Sequence, residues 1–157
     1  MTSGNDNIAI ANVGVLGESG TIRIGGGLQT RAFVAGIRGV TTALAAVNVV
    51  IDSNGQMGTI SSSRRFKEDI ADMGQASSGL LRLRPVTYRY KQPYADGSKP
   101  GDYGLIAEEV AEVYPDLVVK GNDGETETVQ YQKLTPMLLN EMQKQNRHAQ
   151  EQDLHAQ

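Results

Sequence analysis

The sequence of 157 residues contains no cysteine. Disulfides, thiol catalysis and Cys-ligated metal are therefore excluded, and the redox compartment is left open. It has only two histidines, His148 and His155, both near the polar C-terminus, which argues against a His-based metal site or triad. Neither sign of charge dominates: 15 Lys and Arg stand against 18 Asp and Glu, for a net charge of -3. That balance offers no electrostatic footprint for nucleic acid. No apolar run is long enough to span a membrane, and the N-terminus lacks the basic-then-apolar pattern of a signal peptide. No cofactor is expected. The length fits one ordinary domain or two small ones.

What is present is unevenly distributed. Residues 1–61 hold 11 of the 18 Gly, three basic and three acidic residues, and Phe33 as the one aromatic. Residues 62–157 hold all six Tyr, 12 basic and 15 acidic residues. The break near residue 61 marks a domain boundary.

In the first segment, apolar alternation recurs around Ile10, Ile24, Ile37 and Ile51, at steps of 14, 13 and 14. Period-two alternation predicts strands, and Gly at 14, 17, 20 and 25–27 permits tight turns between them. A regular step of this size predicts stacked coils of a β-helix-like stalk. One such unit cannot bury its own apolar face, so the segment is expected to be intertwined with other copies, the alternative being a small β-sandwich. The Gly25–Gly27 run lacks the Gly-Lys-Ser/Thr ending of a phosphate loop. Asn54-Gly55, between two strand-like runs, predicts a hairpin that leads directly to Ser61. Met1 opens straight into a repeat unit, as expected of a fragment of a longer fibre or surface protein.

The boundary reads S-S-S-R-R-F-K-E-D-I over residues 61–70. A serine nucleophile needs a base, and with no histidine nearby a lysine can serve when burial or neighbouring cations activate it. Arg64 and Arg65 work in that direction for Lys67, while Glu68 and Asp69 oppose it. The five-residue spacing of Ser62 and Lys67 places them on opposite faces of a strand and far apart on a helix. A dyad thus requires a bend between them or a lysine from another chain. On the residues and their spacing alone, a serine-rich linker followed by solvated charges is the better reading.

This stretch resembles the processing motif of the C-terminal intramolecular chaperone domains of phage endosialidases and tailspikes. Ser62, Arg65, Lys67, Glu68 and Ile70 match the pattern, while Ser63 stands where that family usually has Asp. Further resemblances follow in the family's order: LLRLRPVTYRY (80–90), YGLIAEEVAEVYPDLV (103–118) and VQYQKLTPMLLNEMQ (129–143). The resemblance implies a homotrimer whose C-terminal part assists folding of its own N-terminal segment. It also implies self-cleavage between Ser61 and Ser62 by a Ser62–Lys67 dyad, with Arg65, Ser63 and Glu68 as supporting residues, in a phage tail fibre or on a bacterial surface. The alternatives are a trimeric structural tip or adhesin module that never cuts, and a free serine hydrolase.

The residues themselves predict an α+β architecture downstream. Val86, Tyr88 and Tyr90 alternate as a half-buried strand; residues 105–113 carry helical spacing ended by Pro115; and residues 117–131 read as a hairpin. Adjacent Glu108 and Glu109 point apart on a helix and are read as solvated charges. A helix over 134–157 has Pro136 in its first turn, with Thr135, Met142, Ala149 and Ala156 at a positions and Leu138, Gln145 and Gln152 at d. That seam is apolar only at its start. It is read as an oligomerisation helix, or else as a single helix fraying after Gln145. The expected organisation is a β-stalk segment (1–61), a chaperone domain (62–130) and an oligomerisation helix (131–157).

Overall fold

A computed structural model describes residues 4–155. The chain forms two compact units, one up to Ala46 and one from Val47 onward. This division falls before the composition break, because the hairpin leading to Ser61 groups with the second unit.

The first unit is built on Ile8–Ile10 (β1) and Ile22–Ile24 (β2), which pair in parallel with Ile8 opposite Ile22 and Ile10 opposite Ile24. The 14-residue step is therefore one circuit of chain that returns each position beside its equivalent. Asparagines close the circuit. Asn7 Nδ2 donates to the Glu18 carbonyl at 2.7 Å and its Oδ1 accepts from Thr21 N at 3.1 Å, while Asn12 Nδ2 donates to the Gly25 carbonyl at 2.5 Å. Arg23 and Glu18 pair at 2.8 Å across the same turn.

The later steps do not repeat this pairing. Ile37 lies in a turn, and Ile51 belongs to an antiparallel hairpin. The described residues thus show short sheets and no β-stalk. The physical reason is cover: Ile8, Ile10, Ile22 and Ile24 are 52–75% exposed and Phe33 is 88% exposed, so a further coil would stack on nothing.

The second unit begins with the hairpin of Val50–Ile51 (β3) and Met57–Gly58 (β4). Its turn carries Gly55 at φ +80°, and Asp52 Oδ1 accepts from the backbone N–H of Asn54 and Gln56 at 2.9 Å each. After an exposed stretch come a 3₁₀ turn at Ser78–Arg82, then Val86–Tyr88 (β5) antiparallel to Asp102–Gly104 (β6). Helix α1 spans Ala107–Val113 and ends before Pro115, whose ring disfavours helical φ/ψ at Tyr114. Val118–Lys120 (β7) and Thr126–Val129 (β8) form the expected hairpin, and helix α2 spans Tyr131–His155.

Helix α2 starts three residues earlier than its periodicity indicates. Pro136 therefore sits in the second turn and leaves the Gln132 carbonyl without its helical N–H partner. Ala156 and Gln157, read from sequence as part of this helix, lie outside the described residues, as do residues 1–3.

A small core joins these elements. Leu80, Val110, Leu117, Val129 and Met137 are buried, with Met73, Leu83, Leu105, Tyr114 and Leu134 packed against them. Val110, only 1% exposed, is the centre of the α1 contact. This is a small α+β unit ending in a long helix.

Candidate functional site

Strand β4 ends at Gly58, and residues 59–63, the serine cluster among them, form neither helix nor strand. Ser63 has φ −65° and ψ 136°, and Arg64–Phe66 then forms a single 3₁₀ turn, closed by Phe66 N–H to the Ser63 carbonyl at 3.1 Å and Lys67 N–H to the Arg64 carbonyl at 3.0 Å. Lys67 returns to extended backbone at φ −130° and ψ 140°. A bend thus separates Ser62 from Lys67, as their spacing requires of any arrangement that brings the two together.

The local chemistry of the turn is modest. Ser63 N–H donates to Ser61 Oγ at 3.2 Å, and the Arg65 guanidinium stacks over the Phe66 ring at 4.7 Å from its centre. Asp69, the second residue of the acidic pair, takes a left-handed φ of +50°. Every residue from 61 to 72 is exposed, including Phe66 at 65% and Ile70 at 54%. Among the described residues no hydrogen bond joins Ser62 to Lys67, and no salt bridge involves Arg65 or Glu68. A lysine activated by burial needs cover, and one copy of the chain leaves this stretch uncovered.

Two clefts lie elsewhere in the second unit. One of about 770 Å³ runs between the hairpin, through Ile51, Asp52 and Ser53, and the β7–β8 hairpin, through Lys120, Asp123 and Glu127. The other, about 260 Å³, is lined by Tyr88, Tyr90, Glu108 and Tyr131, among others. Tyr88 packs edge-on to Tyr90 at 5.3 Å, and its phenol is held well above the ordinary value, first by the hydrogen bond with Tyr90, then by desolvation and the Asp102 charge. Glu108 and Glu109 diverge: Glu108 lines this cleft and Glu109 pairs with Arg84. Among the described residues no cluster of His, Asp and Glu could hold a metal ion.

A polar cluster that the sequence reading did not single out joins Ser77 to Asn140, Glu141 and Lys144. Its one sequence signal is the Glu141/Lys144 spacing of three, which puts opposite charges side by side on a helix. Ser77, at the other end of the domain in sequence, gave no sign of belonging to it.

Residues 62–119 match a peptidase family model described as the chaperone of endosialidase. The match begins at Ser62 itself and includes the 3₁₀ turn, β5, β6 and α1. It agrees with the resemblance read from the sequence, supports an intramolecular chaperone role, and implies a self-cleaving domain of serine-peptidase type. No curated protein matches the chain. Among the described residues no helix is long and apolar enough to cross a membrane.

Proposed function

We propose that this chain is a homotrimeric intramolecular chaperone that assists folding of its N-terminal β-segment and then cuts itself between Ser61 and Ser62. The observation that carries this reading is the coincidence of three features at one peptide bond. The family match starts at Ser62, the composition changes there, and the chain is exposed there, just before the 3₁₀ turn of Arg64–Phe66.

Lys67 Nζ, from the same or a neighbouring copy, takes the proton of the Ser62 hydroxyl. Ser62 Oγ then attacks the carbonyl carbon of Ser61, and the C–N bond breaks as the Ser62 nitrogen is protonated, leaving an ester between Ser61 and Ser62. Water hydrolyses that ester to a Ser61 carboxylate and a free Ser62 hydroxyl and amine. Arg65 adds positive charge near Lys67, and Ser63 and Glu68 flank the turn. Assembly of three copies provides the cover that a single copy leaves missing around residues 61–72.

Wound β-structure joins residues distant in sequence and folds slowly. A template that holds the chains in register speeds that step, and its removal leaves the stalk with a high unfolding barrier. The setting that fits is a phage tail fibre or a bacterial surface fibre.

Intact-mass measurement on the chain and on Ser62→Ala and Lys67→Ala tests the mechanism. Wild type yields pieces of 61 and 96 residues and both variants stay whole. A wild-type chain that forms trimers and remains full length rules out self-cleavage. It would favour a non-cutting fibre tip, a reading supported by Ser63 in place of the family's Asp. A cleavage rate that falls on dilution of formed trimers would instead point to a free hydrolase.

A further inference from the structure

The cluster at Ser77 is a closed network. Ser77 has no solvent exposure; its hydroxyl donates to Glu141 Oε1 at 2.5 Å and accepts from Asn140 Nδ2 at 2.6 Å. Asn140 Nδ2 also donates to the Gly74 carbonyl at 2.9 Å. Lys144 Nζ donates to Glu141 Oε1 at 2.8 Å, Ser78 Oγ at 3.0 Å and Gln75 Oε1 at 3.3 Å. Apart from the Glu141–Lys144 pair, each of these bonds ties residues 74–78 to residues 140–144 of α2.

A sheltered ion pair is a poor way to gain stability, since apolar residues of the same shape often do as well or better. What a satisfied polar network supplies is one allowed placement of the two segments. The placement matters because of what lies just upstream. Residues 61–72 are exposed, and Met73 is the first residue after the motif to pack on the core. Residues 74–78 are therefore the root from which the Ser62–Lys67 stretch extends.

Helix α2 has a second face. Met137, Asn140, Glu141 and Lys144 share one side at helical spacing. Leu138, Leu139 and Met142 lie on the other, 54%, 54% and 66% exposed.

We infer that Asn140, Glu141 and Lys144 are positioning residues for the self-cleavage reaction. They clamp the root of the motif to α2, so that docking of the opposite, apolar face of α2 onto other copies of the chain also fixes where Lys67 stands. This rests on the reading of the chain as a self-cleaving trimer, and its test separates the two.

The first measurement is the cleavage rate of the full chain carrying Ser77→Ala, Lys144→Met or Lys144→Arg, by intact mass, with oligomeric state measured alongside. Displacing a reacting group by about an ångström costs on the order of 100-fold in rate, so the first two variants cleave roughly 10- to 100-fold more slowly as unchanged trimers. Lys144→Arg keeps the charge and recovers most of the rate. The second measurement is amide hydrogen exchange in the uncleavable Ser62→Ala chain with and without Lys144→Met. Exchange accelerates over residues 64–78 and stays unchanged in α1, β7 and β8. Wild-type cleavage rates in the clamp variants overturn the inference. So does unchanged exchange over 64–78, or acceleration spread through the whole unit, which would mean that the network merely holds the fold. If the wild-type chain never cleaves, the self-cleavage reading fails on its own and the exchange measurement still decides whether the clamp orders the motif.

Discussion

The two units of this chain hold themselves together by different means. In the unit up to Ala46, order comes from backbone turns, asparagine side chains and the Arg23–Glu18 pair, while its isoleucines face outward. In the unit from Val47 onward, five buried apolar residues tie α1, α2 and the β7–β8 hairpin into one core. Hydrogen bonds in water fix geometry but contribute little net stability, whereas apolar burial drives folding. The first unit therefore has a shape without a driving force of its own, and the second has both. That asymmetry is what the proposed roles of folding client and template would require.

The strongest way to break the comparison is to separate the parts. Expressed alone, residues 62–157 unfold in a cooperative thermal transition followed by circular dichroism, and residues 1–61 show none. A cooperative transition in the isolated 1–61 piece would refute the asymmetry. Point substitutions come next. Leu117→Ala, at a site 5% exposed, lowers stability by about 2–5 kcal/mol in denaturant titration. Ile22→Ala, at a site 64% exposed, leaves the same transition unmoved.

The smallest expected effect is a matter of pH. Each unit holds one glutamate below its ordinary value of 4.5: Glu18 chiefly through its hydrogen bond with Arg23, and Glu141 through those with Lys144 and Ser77. A carboxyl group whose value is lowered by folding stabilises the fold above the unfolded value. That contribution is lost as pH falls through the lowered value. Acidification below 4.5 thus weakens the second unit in part through Glu141, and Glu141→Gln flattens that loss. Glu18→Gln leaves the acid limb of the transition unchanged, because its unit has no cooperative core to weaken. Equal flattening by both substitutions would show the units to be energetically alike.

Much of this architecture is written in local pattern. Asn54-Gly55 marks its hairpin, Pro115 ends α1, and the alternation of Val86, Tyr88 and Tyr90 gives a strand that is half-buried at Val86 and Tyr88 but ends before Tyr90, which is 56% exposed. Tyr131 is a case where local pattern misleads. It alternates with Val129 as a strand residue would, yet it opens α2 and its hydroxyl accepts from Leu105 N–H at 2.9 Å. The 14-residue step is legible and yields a parallel pair, but nothing among the described residues covers the apolar faces on which further coils would stack. For the candidate site, the residue types of Ser62 and Lys67 and their order are visible in sequence. Their mutual geometry is not, because nothing in the exposed stretch packs them together. The Ser77 network is invisible for the opposite reason: it depends on tertiary packing that no local spacing records.

The hairpin of β3 and β4 gives the proposed cut an unexpected aftermath. It precedes Ser61, so it would leave with the N-terminal product. It nevertheless groups with the second unit and faces β7 and β8 across a cleft of about 770 Å³. Ile51 and Met57 are 69% and 71% exposed, and among the described residues no hydrogen bond or salt bridge ties the hairpin to β7 or β8. Once the Ser61–Ser62 bond is broken, only this open cleft would lie between the hairpin and the rest of the second unit, so scission and departure would be nearly one event.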